Sequence, residues 1–127
     1  MADEPRMMVG AATVFVVSDI DASLAYYRDA LGFQVTFEYG SPLSYACLCR
    51  DEVDLHLLAA AATKRLPGQG GLCIFVRDVD PLYTELSGRG ARLINQPQDR
   101  DYGMRDFDAV DADGNQVTFG MGISGTE

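Results

Sequence analysis

Two rhythms of apolar residues run along the chain. Thr13, Phe15 and Val17 are two apart, as are Val53, Leu55 and Leu57, then Leu72, Ile74 and Val76, then Val117, Phe119 and Met121. A period of two is that of a strand with one face buried. Between these runs Leu24, Tyr27 and Leu31 follow helical spacing, and Leu82, Tyr83 and Leu86 give a second helix an apolar side. Asp21 is expected to cap the first helix and Gly32 to end it, while Asp80-Pro81 opens the second, which Gly88 and Gly90 close. Strands are predicted at Val9 to Val17, Phe33 to Tyr39 (alternating apolar and polar), Ser44 to Cys49 and Val53 to Leu58. Four more are predicted at Leu72 to Val76, Ala91 to Asn95, Met104 to Val110 and Gln116 to Met121, with Asp113-Gly114 turning between the last two.

The order of elements repeats. Phe15-Val16-Val17-Ser18-Asp19-Ile20-Asp21 returns as Ile74-Phe75-Val76-Arg77-Asp78-Val79-Asp80, and each copy is followed by a helical segment, a glycine and a strand-like run. The expected fold is α+β. One domain over residues 1–127 holds two βαβββ modules, about 9–60 and about 71–121, joined through the Pro/Gly-containing stretch Ala59 to Gly70. The apolar strand faces pack under the helices, which leaves the helices on a convex side and a U-shaped cleft opposite. Asp54 and His56, Cys73 and Phe75, and Gln116 and Thr118 alternate onto that open side.

Composition narrows the partners. The 127 residues are 47% hydrophobic and 23% charged, an ordinary globular balance. A formal net charge of -9 with a pI near 4.4 argues against nucleic acid and anionic membrane and favours cationic ligands. Apolar stretches fall well short of the ~20 residues of a membrane helix. Three cysteines, Cys47, Cys49 and Cys73, make no secreted disulfide framework, and Met1 to Arg6 reads as a short polar tail. The expectation is a cytoplasmic protein.

The segments VVSDIDASLAYYRDALGF and YGMRDFDAVDADGNQVTFG, set in paired βαβββ modules, resemble the vicinal oxygen chelate family of glyoxalases, bleomycin-resistance proteins and extradiol dioxygenases. The resemblance runs from about Val9 to Met121, with Ala112 standing where the family's Asp-Pro-Asp-Gly turn has proline. It implies a cleft between modules, frequent homodimers and, in the enzymes, a divalent metal held at four matched positions. Those positions fall here on Ala12, His56, Gly71 and Thr118, and only His56 is a good ligand. The chain has a single histidine. The resemblance therefore points to the bleomycin-resistance branch, binding a small cationic or aromatic molecule without a metal or other cofactor.

Nine residues are the expected ligand-binding set. His56 offers an adjustable acid–base or hydrogen-bonding ring. Asp54, Asp106 and Asp108 are expected to converge in the cleft beside Phe75 and Tyr45, which suits an amine-bearing, partly aromatic ligand. Tyr102 is expected over the ligand, Arg105 beside an acidic group of it, and Thr118 on the cleft floor. The competing interpretations are a solvated strand face for the carboxylates, a hydrogen-bonded strand histidine for His56, and a turn with an exposed tyrosine and a surface ion pair for Tyr102 and Arg105. An enzyme using His56 with Asp54, or an atypical metal site, is the alternative function. A third is a fold-only accessory subunit. A zinc site of three cysteines with His56 is chemically conceivable, although Cys-x-Cys on one strand matches zinc spacing poorly. Neither a phosphate-binding glycine loop nor a nucleophile elbow is present.

Overall fold

The computed structural model describes residues 4–123, so the first half of the expected polar tail, Met1 to Asp3, lies outside the described residues. Two mixed sheets form the scaffold. In the first, β1 (Thr13–Val17) runs parallel to β4 (Val53–Ala59), which is flanked by β3 (Tyr45–Arg50) and then β2 (Gln34–Tyr39). The second repeats the pattern: β5 (Gly71–Phe75) is parallel to β9 (Gln116–Gly122), followed by β8 (Met104–Val110) and the short β6 (Arg92–Leu93). β7 (Gln98–Asp99) also pairs with β8. Helix α1 (Ile20–Asp29) packs on the first sheet and α2 (Val79–Arg89) on the second. This is the expected α+β plan, with each sheet covered on one face and open on the other. No helix among the described residues is long and apolar enough to cross a membrane.

The covered faces are the ones the period-two rhythm marks. Phe15, Val17, Leu55, Leu57, Ile74, Phe107, Val117 and Phe119 are buried with Tyr27 and Leu31 of the α1 region in one apolar cluster. Each such side chain contributes roughly 1.5–3 kcal/mol on transfer from water. That cluster draws from both sheets.

Element ends differ from the expectation where local hydrogen bonding decides. The first cap is Asp19, whose carboxylate accepts from the Ala22 amide, and the second is Asp78, so each helix starts one or two residues before Asp21 or Asp80. Gly90 ends α2 in the left-handed conformation, as a C-terminal glycine does. β1 begins at Thr13 rather than Val9, because β4 supplies a partner only from Thr13 onward. Ala91 to Asn95 shrinks to a two-residue strand, and Asn95 turns instead to bond Asp108.

The largest departure is in β2. Strict alternation would put Phe33, Val35, Phe37 and Tyr39 on one face. A bulge at Thr36 breaks the register: Val35 lies opposite Leu48, but Phe37 lies opposite Cys47. Val35 therefore packs against the core, while Phe37 and Tyr39 emerge on the open face, 54% and 64% exposed.

Between the modules sits a buried polar clasp built on the Asp-Ala-Asp-Gly-Asn turn. The Asp111 carboxylate accepts from Tyr27 Oη (2.9 Å), Asn115 Nδ2 (2.9 Å) and the amides of Asp113 and Asn115. Asn115 also donates to the Val16 carbonyl and accepts from the Gly70 amide, tying β1 to the linker and to β9.

Candidate functional site

Strand register lays out both open faces row by row. Across the first sheet, Val14, His56, Cys47 and Phe37 form one row, and Val16, Leu58, Tyr45 and Tyr39 the next. Across the second, Cys73, Thr118 and Asp108 form one row, and Phe75, Gly120 and Asp106 the next. The two modules have diverged at matched places. One face is aromatic and apolar around a histidine; the other is acidic and polar.

On the first face, His56 Nδ1 shares a 2.6 Å hydrogen bond with Tyr45 Oη, and the two rings pack edge to face at 5.3 Å. Burial pushes the Tyr45 hydroxyl above its ordinary range, with a further push from Cys47 and an opposing pull from Arg65. Burial and the nearby Asp54 likewise raise the Cys47 thiol, so it stays protonated at neutral pH. Asp54 lies exposed one row along, opposite Cys49, and is not hydrogen-bonded to His56.

On the second face the two carboxylates have different company. Asp106 is buried under Arg100 Nε (2.7 Å) and Tyr102 Oη (2.7 Å), both from the loop before β8. Burial alone would raise its carboxyl, but these two hydrogen bonds and the guanidinium charge hold it below the usual carboxylate range. Asp108 accepts from Asn95, Gln116 and Thr118 and forms no direct ion pair among the described residues, although Arg100, bound to Asp106, feels its charge. Next to it, Gly70, Gly71, Cys73, Gln116 and Thr118 line an open groove of about 500 Å³. Gly120 keeps this row low, since a Cβ there would come within 3.2 Å of Met104 and 3.5 Å of Asp106.

The expected set thus divides. His56, Tyr45 and Asp54 share the first sheet's open face. Asp106, Asp108, Phe75 and Thr118 share the second's, with Tyr102 above Asp106. Asp54 lies on a different sheet from Asp106 and Asp108. Arg105 leaves the face altogether: its side chain runs to Asp80 at the start of α2 and to Asp99. Four residues that matter here escape the sequence patterns. Phe37 and Tyr39 are hidden by the β2 bulge. Asn95 and Arg100 lie in a loop whose side-chain directions no periodicity gives.

The metal positions do not fit a metal. Ala12 and Gly71 have no donor atom, and the Thr118 hydroxyl is spent on Asp108. Among the described residues no three His, Cys, Asp or Glu side chains come together closely enough to hold an ion. The cysteines are free, with Cys47 and Cys49 on one sheet and Cys73 on the other, so the Cys3His arrangement is not assembled.

With this geometry in hand, comparison with known proteins identifies the lineage. A glyoxalase superfamily member from Sphaerobacter thermophilus is 24% identical, with a TM-score of 0.76 over 91% of this chain and 98% of that one. The bleomycin-binding protein of Streptomyces verticillus, solved with copper(II)-bleomycin, is 23% identical, with a TM-score of 0.77 over 94% and 100%. Lactoylglutathione lyase from Agrobacterium tumefaciens is 22% identical, with a TM-score of 0.74 over 94% and 96%. At these identities the likeness is one of fold. No curated protein matches the sequence. The family model for the Glyoxalase/Bleomycin resistance protein/Dioxygenase superfamily matches residues 11–119, and the chain belongs to that superfamily.

Proposed function

We propose that the protein binds a small aromatic molecule on its open sheet faces and holds it without metal chemistry. The observation that carries this is the aromatic row pair on the first sheet. Tyr45 packs on His56, and Phe37 and Tyr39 continue the same two rows, at places where a merely solvated strand face would be polar. Such a platform offers ring-on-ring contact with little loss of side-chain freedom. The acidic second face, where Asp108 forms no direct ion pair among the described residues, supplies a seat for an amine on the same ligand. The ligand-binding set is then His56, Tyr45, Phe75, Asp54, Asp108 and Thr118 with the added Phe37 and Tyr39. Asp106 and Tyr102 frame the second face.

We also propose that the working unit is a homodimer. The two open faces are on separate sheets, and the outer edge of β5 has no strand partner among the described residues. A second copy brings a first-sheet face against a second-sheet face and closes the ligand between them.

Thermal-shift screening of basic glycopeptides and other amine-bearing aromatic drugs, with Phe37→Ala alongside, tests the binding. A shift of several degrees in the native protein that vanishes in Phe37→Ala is expected. A panel without any shift would remove the proposal's support. Sedimentation equilibrium at micromolar concentration tests the dimer, and a monomer with and without ligand would refute it.

A further inference from the structure

The one hydrogen bond that His56 makes has a consequence for what the ligand must carry. One proton lies between Tyr45 Oη and His56 Nδ1, 2.6 Å apart. If it belonged to Nδ1, the tyrosine oxygen would accept and its own proton would be left to solvent, because His56 is its one partner among the described residues. If it belongs to the tyrosine, the pair is satisfied. A phenol is also the better donor and an imidazole nitrogen the better acceptor. The edge-to-face packing at 79° keeps the ring from swinging out of this bond. The neutral ring's proton then sits on Nε2. That atom has no recorded protein partner, and no buried side-chain nitrogen or oxygen among the described residues is left unpaired, so Nε2 reaches solvent.

A second donor stands nearby. Arg65, from the linker, reaches Val14 in the same row as His56 through a long 3.3 Å bond to its carbonyl, and forms no ion pair among the described residues. Its charge is felt at the Tyr45 hydroxyl. The row of His56 thus carries an imidazole N–H, with a guanidinium reaching its Val14 end.

We infer that Tyr45 is a positioning residue that fixes His56 as the Nε2–H tautomer, making the first face specific for an aromatic molecule that bears an oxygen acceptor. A carbonyl, phenolate or carboxylate on the ring meets His56 Nε2–H and Arg65 while the ring lies on Phe37 and Tyr39. The inference rests on the binding proposal above and adds the polarity of the ring substituent.

The test uses the chain's single histidine, which gives one imidazole spin system. Long-range ¹⁵N–¹H spectra at about pH 8, above the usual imidazole titration, should show the proton on Nε2 and a bare Nδ1. Tyr45→Phe, which removes only the hydroxyl, should move both nitrogens toward the averaged values of a free imidazole. Titrations read at the His56 ring should then favour 2-naphthoate over 2-naphthylmethylammonium by about tenfold or more, with the preference falling at least about threefold in Tyr45→Phe. A proton on Nδ1 overturns the inference. So does ammonium binding as well as carboxylate at His56, or neither probe perturbing it. A drug-panel hit accompanied by Nδ1 protonation would sink this inference while leaving the broader binding proposal standing.

Discussion

Tyr27 and Asp111, 84 positions apart in sequence, meet through a fully buried 2.9 Å hydrogen bond that joins helix α1 of one module to the β8–β9 turn of the other. Burial and the neighbouring carboxylate drive the Tyr27 hydroxyl far above its ordinary range, so it remains a donor at any physiological pH. Asn115 completes the arrangement by donating to Asp111 and to Val16. Removing it leaves buried acceptors without partners, which costs about 1–3 kcal/mol for each group. Asn115→Ala should lower unfolding free energy in urea by roughly 2–4 kcal/mol. A loss under about 0.5 kcal/mol would show that the clasp does not hold the modules together.

Gly70 is required for a different reason. A Cβ there would come within 2.4 Å of the Phe15 ring and 2.9 Å of Asn115 Oδ1, both in the buried seam. Neither can retreat, since one is core and the other is committed to the clasp. Gly70→Ala should therefore cost about 1–3 kcal/mol by overpacking, against a gain of several tenths where the backbone alone matters. Thermal denaturation decides, and an unchanged or raised Tm contradicts the packing account.

Asp106 makes the acid limb of stability predictable. Its carboxyl is held below the unfolded value by Tyr102 and Arg100 after burial has pushed the other way. A depressed folded pKa means the stabilisation is full above the unfolded value, near 4, and is lost as pH falls through the lower folded one. Asp106→Asn should cost roughly 2 kcal/mol at pH 7, because Arg100 loses its charge partner. Its stability should then vary less than the native protein's between about pH 5 and 3. Parallel acid limbs in the two proteins would rule out Asp106 as a contributor.

Phe37 and Tyr39 should separate binding from stability. Both are more than half exposed, so truncation to alanine changes unfolding free energy by no more than about 0.5 kcal/mol. As the outer rings of the proposed platform, each should contribute about tenfold or more to ligand affinity. Equal affinities in native and variant proteins, measured by calorimetry, would place the ligand elsewhere.

The fold was largely legible because it rests on local rules. Leu55 and Leu57 against Asp54 and His56, or Phe107 and Ala109 against Asp106 and Asp108, follow strand alternation, and the 59-residue echo of Phe15–Asp21 announces the second module. The site was legible by halves. Strand parity puts His56 on the open face with Asp54. Parity does not place Phe37 and Tyr39 there, because a bulge is an extra residue in a register that only the partner strand reveals. Arg105 takes the surface ion pair, because its parity sends it to Asp80 on the helix side, and Arg100 takes the place by Asp106 that a sequence pattern would not assign it.

The central claim is that the open faces, and the aromatic rows of β2, β3 and β4 above all, receive the ligand. Backbone and ring chemical-shift mapping during titration with metal-free bleomycin, followed by the strongest hit of the drug panel, tests it most directly. The account predicts that the largest changes fall on Phe37, Tyr39, Tyr45, Cys47 and His56, with a second set on Cys73, Asp108 and Thr118. Binding mapped to the helix-covered sides, or saturable binding that leaves His56 and Phe37 unmoved, would contradict it.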